Sequence, residues 1–166
     1  MTRGWRRWIS RFVGAGVVTA TVCAGCGTRA EPVVVPPEIA AVVSLRASQF
    51  REIGTAFKAL TDEMQSGDPY LPSMRRSALQ IRDLSRDLSS WFPTGSGPET
   101  GLDTKARAEI WKRPEDFARA TSLFQTRAEE FAHTVESGDL ARISAHLKAL
   151  GDSCAGCHDV FRVEDD

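Results

Sequence analysis

Residues 139–161, DLARISAHLKALGDSCAGCHDVF, are the stretch that decides the fold. Apolar side chains recur in it at alternating steps of three and four residues, which is the spacing of one face of an α-helix. Because two thiols share this face with the leucines, we predict that the cysteines point toward a protein core. The stripe consists of Leu140, Ile143, Leu147, Leu150, Cys154, Cys157 and Phe161.

Three earlier segments have the same helical periodicity. We predict helices over residues 38–65, from about 71 to 92, and from 114 to about 137. A loop rich in glycine and proline occupies 93–101, and a short helical turn is expected around Ile110-Trp111. No stretch alternates apolar and polar residues as a β-strand does. The predicted fold is therefore all-α, an antiparallel up-down four-helix bundle.

Composition and charge exclude one class of partner. The chain has 166 residues, enough for one domain with a substantial core. Its net charge is −1, but residues 1–25 carry four arginines and no acidic residue, so the remainder carries −5. A mildly acidic body lacks the basic surface that nucleic-acid binding requires, and we expect no nucleic-acid partner.

The N-terminus has the pattern of an export signal. Its arginines precede an uncharged apolar run at 12–22, which is too short to span a bilayer. We predict a signal peptide over 1–25, a flexible tether over 26–37 and the folded domain over 38–166. The mature protein is expected in the periplasm.

The end of this signal carries the tetrapeptide CAGC, which recurs at 154–157. Val22-Cys23-Ala24-Gly25-Cys26 resembles a bacterial lipobox, although Cys23 stands where leucine is usual. Two alternatives follow. Either Cys26 carries a lipid anchor that tethers the protein to a membrane, or the signal is cleaved nearby in the ordinary way. In both, the two CAGC copies do unrelated work.

The second CAGC is followed by histidine and forms the motif Cys-x-x-Cys-His, with Cys154, Cys157 and His158 on one side of the helix. This motif is the attachment signature of c-type haem, in which two thioether bonds fix the porphyrin edge and the imidazole ligates the iron. A disulfide redox pair would start a helix after a strand, and a zinc site would need four ligands. We therefore predict one covalently attached haem c.

With this motif on the last helix of an exported bundle, the chain resembles the class II c-type cytochromes, the cytochrome c′ family. The resemblance extends from about Val42 to Arg162. It rests on Arg46 and Phe50 in the first helix, Phe92-Pro93-x-Gly95-Ser96, Ile110-Trp111, and Cys154-Ala155-Gly156-Cys157-His158-x-x-Phe161-Arg162.

The resemblance implies roles on both faces of the haem. Some family members supply methionine as the sixth iron ligand, whereas others place a hydrophobic residue there and leave the iron five-coordinate and high-spin. The corresponding residue is Phe50, which implies a distal face screened by a phenyl ring. The resemblance also implies that Arg162 lines the proximal face and that homodimers form through the first two helices. Ala47 stands where the family usually has glutamine.

The positions of other candidate ligands favour the same coordination. In an up-down bundle the end of the last helix lies beside the start of the first, so the haem faces about 42–54. Met64 lies about 21 Å along the helix from Phe50, and His146 about 18 Å from His158, at a rise of ~1.5 Å per residue. By elimination, the sixth position is empty or holds water.

Arg46 falls on the apolar seam of the first helix, where an unpaired charge is costly. We predict that a haem propionate supplies the anion that a buried arginine needs. The alternative is that Arg46 extends along the edge of the seam into solvent. For Arg162 the alternative is an ordinary solvated arginine.

These expectations describe a monohaem cytochrome that binds small gases such as NO or CO, transfers electrons to a periplasmic partner, or does both, and is not an enzyme. The alternative is a six-coordinate low-spin electron carrier with a distal ligand such as Lys105 or Lys112. A peroxidase ranks lower because the sequence supplies no distal acid–base pair.

Overall fold

The computed structural model describes residues 34–164. The predicted signal peptide, Cys26 and most of the predicted tether lie outside the described residues. The elements are α1 (Pro37–Gln65), α2 (Leu71–Arg86), the 3₁₀ turns Leu88–Trp91 and Pro98–Thr100, α3 (Glu109–Lys112), α4 (Pro114–Glu136) and α5 (Leu140–Phe161).

The four long helices form the predicted bundle. α1 packs on α2, α2 on α4 and α4 on α5, whereas α1 and α5 contact each other sparsely. Over residues 34–164 there is no β-strand, only an isolated antiparallel bridge between Ala106 and Arg162. None of the helices in this range combines the length and apolar character needed to cross a membrane. The all-α four-helix prediction is confirmed.

The second helix ends earlier than predicted. The periodicity extended it to Phe92, but α2 stops at Arg86 and the chain tightens into the 3₁₀ turn Leu88–Trp91. The N–H of Ser90 donates to the carbonyl of Asp87 at 2.9 Å, which is the shorter i→i+3 bond of such a turn. Leu88 and Trp91 are both buried, so the tighter winding still directs apolar side chains inward.

Local chemistry fixes where the long helices begin. α1 and α4 start with Pro37 and Pro114, at the position where the N–H that proline lacks would have no helical partner. Asp139 caps α5, because its carboxylate accepts hydrogen bonds from the N–H groups of Ala141 and Arg142, both at 3.1 Å. A fixed start for α5 sets the height of the cysteine motif about four turns later.

The bundle interior differs along its length. One part, which we call the closed core, is built of large apolar side chains with 0% exposure. At the level of the cysteine motif, by contrast, Phe50, Phe92 and both motif cysteines are only partly buried. The closed core consists of Leu60, Met74, Phe131, Val135 and Ile143.

Candidate haem site

A cavity of about 720 Å³ lies between α1 and α5 and reaches α4 and the segment 103–106. This volume falls within the range of about 300–1,000 Å³ that is usual for sites burying small-molecule ligands. Its wall is mostly apolar. Where α1 and α5 do approach, a Cβ built on Gly151 would lie 3.1 Å from the Cζ atom of Phe57. The space available to a ligand therefore lies on the side of this contact toward the cysteine motif.

Cys154 and Cys157 line the cavity from the last turns of α5. Both are free thiols, partly buried and packed against the core, as the periodicity predicts. Burial raises the pKa of each thiol to about 11, and the neighbouring Cys157 adds to the effect on Cys154. Both thiols are therefore protonated at neutral pH. The described residues include no cluster of His, Cys, Asp and Glu arranged to hold a metal ion.

His158 lines the same cavity from the last turn of α5. Loss of surrounding water, and then the positive charge of Arg162, lower the pKa of His158, while Asp159 opposes them. The imidazole is therefore neutral at pH 7, which is the form that ligates metals. Arg162 also lines the cavity, and its N–H donates to the carbonyl of His158 at 3.0 Å. The structure brings these predicted residues together; the proximal role of Arg162 stays a prediction.

The end of α5 is held by the segment that precedes α3. The N–H of Arg107 donates to the carbonyl of Phe161 at 2.9 Å, and the N–H of Val163 donates to the carbonyl of Lys105 at 2.8 Å. These two bonds bracket the end of the helix. The last turn of α5, which carries His158, is therefore fixed by a distant part of the chain.

Phe50 reaches the cavity from α1, whereas the cysteine motif reaches it from α5. Its ring packs edge-on against Trp91, with centroids 5.3 Å apart and an interplanar angle of 89°, and lies 6.2 Å from the ring of Phe92. Such edge-to-face pairs are favourable arrangements of aromatic rings. Among the described residues that line the cavity, His158 is the only histidine and there is no methionine.

Arg46 is buried, with 4% exposure, but its partners are neutral. Nη1 donates to the Trp91 carbonyl at 3.2 Å and to Ser96 Oγ at 3.1 Å. Nη2 donates to the Ser96 carbonyl and to Thr104 Oγ1, both at 2.9 Å. The guanidinium carbon lies 4.7 Å from the centre of the Phe92 ring, in a cation–π contact.

Neutral groups therefore satisfy most of the hydrogen-bonding capacity of the buried Arg46 without an anion. Four of its five N–H groups are donated to neutral oxygens of the loop, and its burial also excludes the alternative of a side chain extended into solvent. Burial lowers the pKa of Arg46, and the charge of Glu99 acts in the opposite direction. Contact between Arg46 and a propionate stays a prediction that the burial of this residue does not require.

Sequence reasoning predicted a loop at 93–101 but missed that it surrounds Arg46. Ser96 is 0% exposed, and its hydroxyl also donates to the carbonyl of Pro93 at 2.8 Å. The available signal was its position between Gly95 and Gly97. Gly95 has a φ of 80°, and a Cβ on Gly97 would lie 2.8 Å from the Trp111 ring, so both glycines are needed for the loop to fold tightly.

The family model described as Cytochrome C' matches residues 41–162. This span covers most of the chain and includes the α1 wall of the cavity as well as the cysteine motif. The chain belongs to the cytochrome c′ family. Cytochromes c′ bind one covalently attached haem c, and the protein is a haem protein of this kind.

Individual cytochromes c′ resemble the chain over most of its length. That of Rhodospirillum rubrum is 34% identical over 127 residues, which are 75% of this chain and 84% of the relative. The structure of cytochrome c prime from Shewanella frigidimarina has a TM-score of 0.71 and 27% identity, covering 78% of this chain and all of its own. A nitric oxide complex of a variant of the Alcaligenes xylosoxidans protein shares the fold, with a TM-score of 0.68 and 24% identity, over 76% of this chain and 97% of that one.

The residues present fit the cofactor of a cytochrome c′. Two protonated thiols and a neutral imidazole open onto one apolar cavity of suitable size. Cys154 and Cys157 would hold the porphyrin edge, and His158 would ligate the iron. The haem supplies ligand-binding and redox chemistry when bound, and the chain would supply its attachment, its axial ligand and an apolar enclosure.

Proposed function

We propose that the protein binds small neutral gases such as NO and CO at a five-coordinate, high-spin haem iron, and that it is not an enzyme. His158 is the axial ligand and Phe50 screens the opposite face. The carrying observation is that the α1 wall of the cavity presents Phe50, with neither methionine nor a second histidine among the described lining residues. A variant of the Alcaligenes xylosoxidans protein forms a nitric oxide complex, which supports extending gas binding to this chain.

The other methionines and histidines of the described residues lie away from the cavity. Met74 belongs to the closed core and is 0% exposed. Met64, His133 and His146 are not among the residues that line the cavity. These positions support an iron with a single protein ligand.

One observation favours the alternative of a low-spin electron carrier. Lys105 lines the cavity, whereas Lys112 does not and instead lies 3.8 Å from a carboxylate oxygen of Glu109. The backbone of Lys105, however, pairs with Val163 alongside the end of α5. Lys105 is thus held beside the end of α5, which carries His158, whereas the proposed screen, Phe50, is on α1. This placement favours the five-coordinate proposal over ligation by Lys105.

Optical and electron paramagnetic resonance spectra of the purified haem-loaded protein test the coordination. We expect a high-spin ferric signal and a ferrous form that binds CO and NO. A low-spin ferric signal in the wild-type protein would contradict the proposal. If that signal became high-spin in Lys105→Ala but not in Lys112→Ala, Lys105 would be the distal ligand.

The screening role is tested by comparing two aromatic residues of α1 that both line the cavity. We expect Phe50→Ala to raise the affinity for CO about 10-fold, which corresponds to about 1.4 kcal/mol. Phe57→Ala is the matched control, because it also removes a phenyl ring but lies beside Gly151 at the α1–α5 contact. Equal effects of the two substitutions, or none, would contradict a screen specific to Phe50.

We infer export to the periplasm from the arginine-rich start and the apolar run at 12–22. Electron exchange there would require a soluble or membrane-bound redox partner. Cell fractionation and the intact mass of the mature protein test this proposal. A lipid-modified N-terminus at Cys26 would support membrane tethering, and an unmodified N-terminus would support ordinary cleavage.

We propose a homodimer through α1 and α2 as a further property. Leu45 of α1 is 53% exposed and Leu79 of α2 is 37% exposed, which is compatible with an apolar contact. Sedimentation of the haem-loaded protein tests the proposal. A monomer at micromolar concentration would contradict it.

A further inference from the structure

We infer that Arg46 is a positioning residue for gas binding: it fixes the aromatic wall behind Phe50 and thereby limits how readily this ring moves aside. The inference rests on the proposed screening role of Phe50. It assigns Arg46 a role that is independent of any contact with a propionate.

Arg46 holds both ends of one loop. Its guanidinium joins the Trp91 carbonyl, at the end of the first 3₁₀ turn, to Ser96 and to Thr104, which are five and thirteen residues further on. Thr104 Oγ1 also accepts the N–H of Ala106 at 3.2 Å. One buried side chain of α1 therefore determines how the segment 91–104 lies against the helix.

Arg46 and Phe50 contact the same two neighbours. Arg46 bonds the backbone of Trp91 and stacks on the ring of Phe92. Phe50, one helical turn later, packs on the rings of these same two residues. To leave the cavity wall, the Phe50 ring must displace Trp91 or Phe92, and both are held by Arg46.

The aromatic wall behind Phe50 continues past Phe92. The ring of Phe92 also lies 6.2 Å from Trp111 and 4.9 Å from Phe117. Trp111 Nε1 donates to the Pro93 carbonyl at 3.1 Å, which fixes the residue after Phe92. Phe92 thus contacts three aromatic rings and the guanidinium, and both Arg46 and Phe50 approach it from α1.

A lysine in place of Arg46 could not make all of these contacts. The planar guanidinium directs four of its five N–H groups to separate oxygens while its face covers an aromatic ring. An ammonium group has three donors, no plane and a single point of charge. Arg46→Lys therefore keeps the charge but releases part of the loop, which separates positioning from electrostatics.

The test is a double-substitution cycle on the haem-loaded protein, read by CO association after flash photolysis. Wild type, Arg46→Lys, Phe50→Ala and the double variant are compared. We expect Arg46→Lys to speed CO association about 3- to 10-fold with Phe50 present and less than about 2-fold with Phe50→Ala, because neighbours in one packed network act non-additively. Ser96→Ala removes one acceptor and is expected to give a smaller change in the same direction.

The outcomes separate this inference from the function on which it depends. An unchanged CO rate in Phe50→Ala contradicts the screen itself. A changed rate in Phe50→Ala, with an equal Arg46→Lys effect in both backgrounds, overturns the positioning role alone. An Arg46→Lys variant with the wild-type CO rate overturns it as well. If Arg46→Lys does not fold with haem, the same cycle with Ser96→Ala decides the question.

Discussion

The closed core and the cavity lie in the same bundle but are completed in different ways. In the closed core, apolar side chains from different helices meet and leave no exposed surface. Around the cavity, Phe50, Phe92, Cys154 and Cys157 remain partly buried, and α1 and α5 contact each other sparsely. Side-chain packing alone completes the first region, whereas the second encloses the cavity that the haem would fill. Stability and ligand chemistry are thereby assigned to different levels of one bundle.

Removing the two cysteines predicted to attach the haem should give the largest difference between the cavity region and the closed core. We expect Cys154→Ala/Cys157→Ala to lose covalent haem completely, as measured by haem staining after denaturing electrophoresis. Native-state hydrogen exchange of this variant should show lost protection at 42–57 and 151–161, with protection kept around the closed core.

Ser153→Ala is the matched control for this experiment. Ser153 is also buried beside the motif, but its hydroxyl only donates to the Leu150 carbonyl at 2.6 Å. The control should retain haem and the normal exchange pattern. Equal loss of protection throughout the double-cysteine variant would show that both regions unfold as one unit.

Deleting one phenyl ring in each region compares their contributions to stability. Phe131→Ala should lower the free energy of unfolding by about 3–5 kcal/mol, because it opens a cavity among fully buried side chains. Phe50→Ala should cost clearly less, since that ring already borders a cavity and is only partly buried. Denaturant unfolding of both variants in the haem-free chain, where the cavity is unfilled, measures the difference. A cost at Phe50 as large as that at Phe131 would contradict the comparison.

The raised thiol pKa values predict a pH effect confined to the haem-free chain. Burial favours the neutral thiol, so the folded pKa of about 11 lies above the ordinary 9.0. The stability contributed by each thiol is therefore complete below pH 9 and is lost as the pH rises toward 11. Thermal unfolding between pH 8 and 11 should show a steeper fall for the haem-free wild-type sequence than for Cys154→Ala/Cys157→Ala. Parallel curves would show that the thiols are not protected from ionisation.

Two glycines give the smallest and most local comparison. A Cβ on Gly54 meets no atom within 4 Å, whereas one on Gly151 lies 3.1 Å from Phe57. In the haem-free chain, Gly54→Ala should stabilise the helix by about 0.5–1 kcal/mol. Gly151→Ala should gain less, because Phe57 must shift to accommodate the methyl group. Denaturant unfolding distinguishes them, and an equal gain at both sites would mean that α1 and α5 separate freely at this level.

Sequence periodicity predicted what depends on local spacing. The long helices and the placement of Cys154, Cys157 and His158 on one helix end all follow from three- and four-residue steps. The early end of α2 did not, because Leu88 and Phe92 keep helical spacing while the chain already winds as a 3₁₀ turn. Apolar spacing alone does not distinguish these two windings over a single turn.

The partners of Arg46 could not be predicted for a different reason. Its acceptors lie 45 to 58 residues away along the chain, and most of them are backbone or hydroxyl oxygens that nearly any loop offers. The sequence indicated that Arg46 is buried, from its place on the apolar seam. Which neutral groups surround it depends on the path of the loop, which is set by the tertiary fold.

The pairing of the segment before α3 with the end of α5 changes the length of the haem-binding unit. The final turn of a C-terminal helix usually frays, and here that turn carries His158, the proposed axial ligand. The bonds from Arg107 to Phe161 and from Val163 to Lys105 act as an end-stop against fraying. A chain cut after Phe161 would retain the whole Cys-x-x-Cys-His signature and lose half of that end-stop. The segment needed to hold the proposed axial ligand in place therefore extends five residues past His158, to Val163.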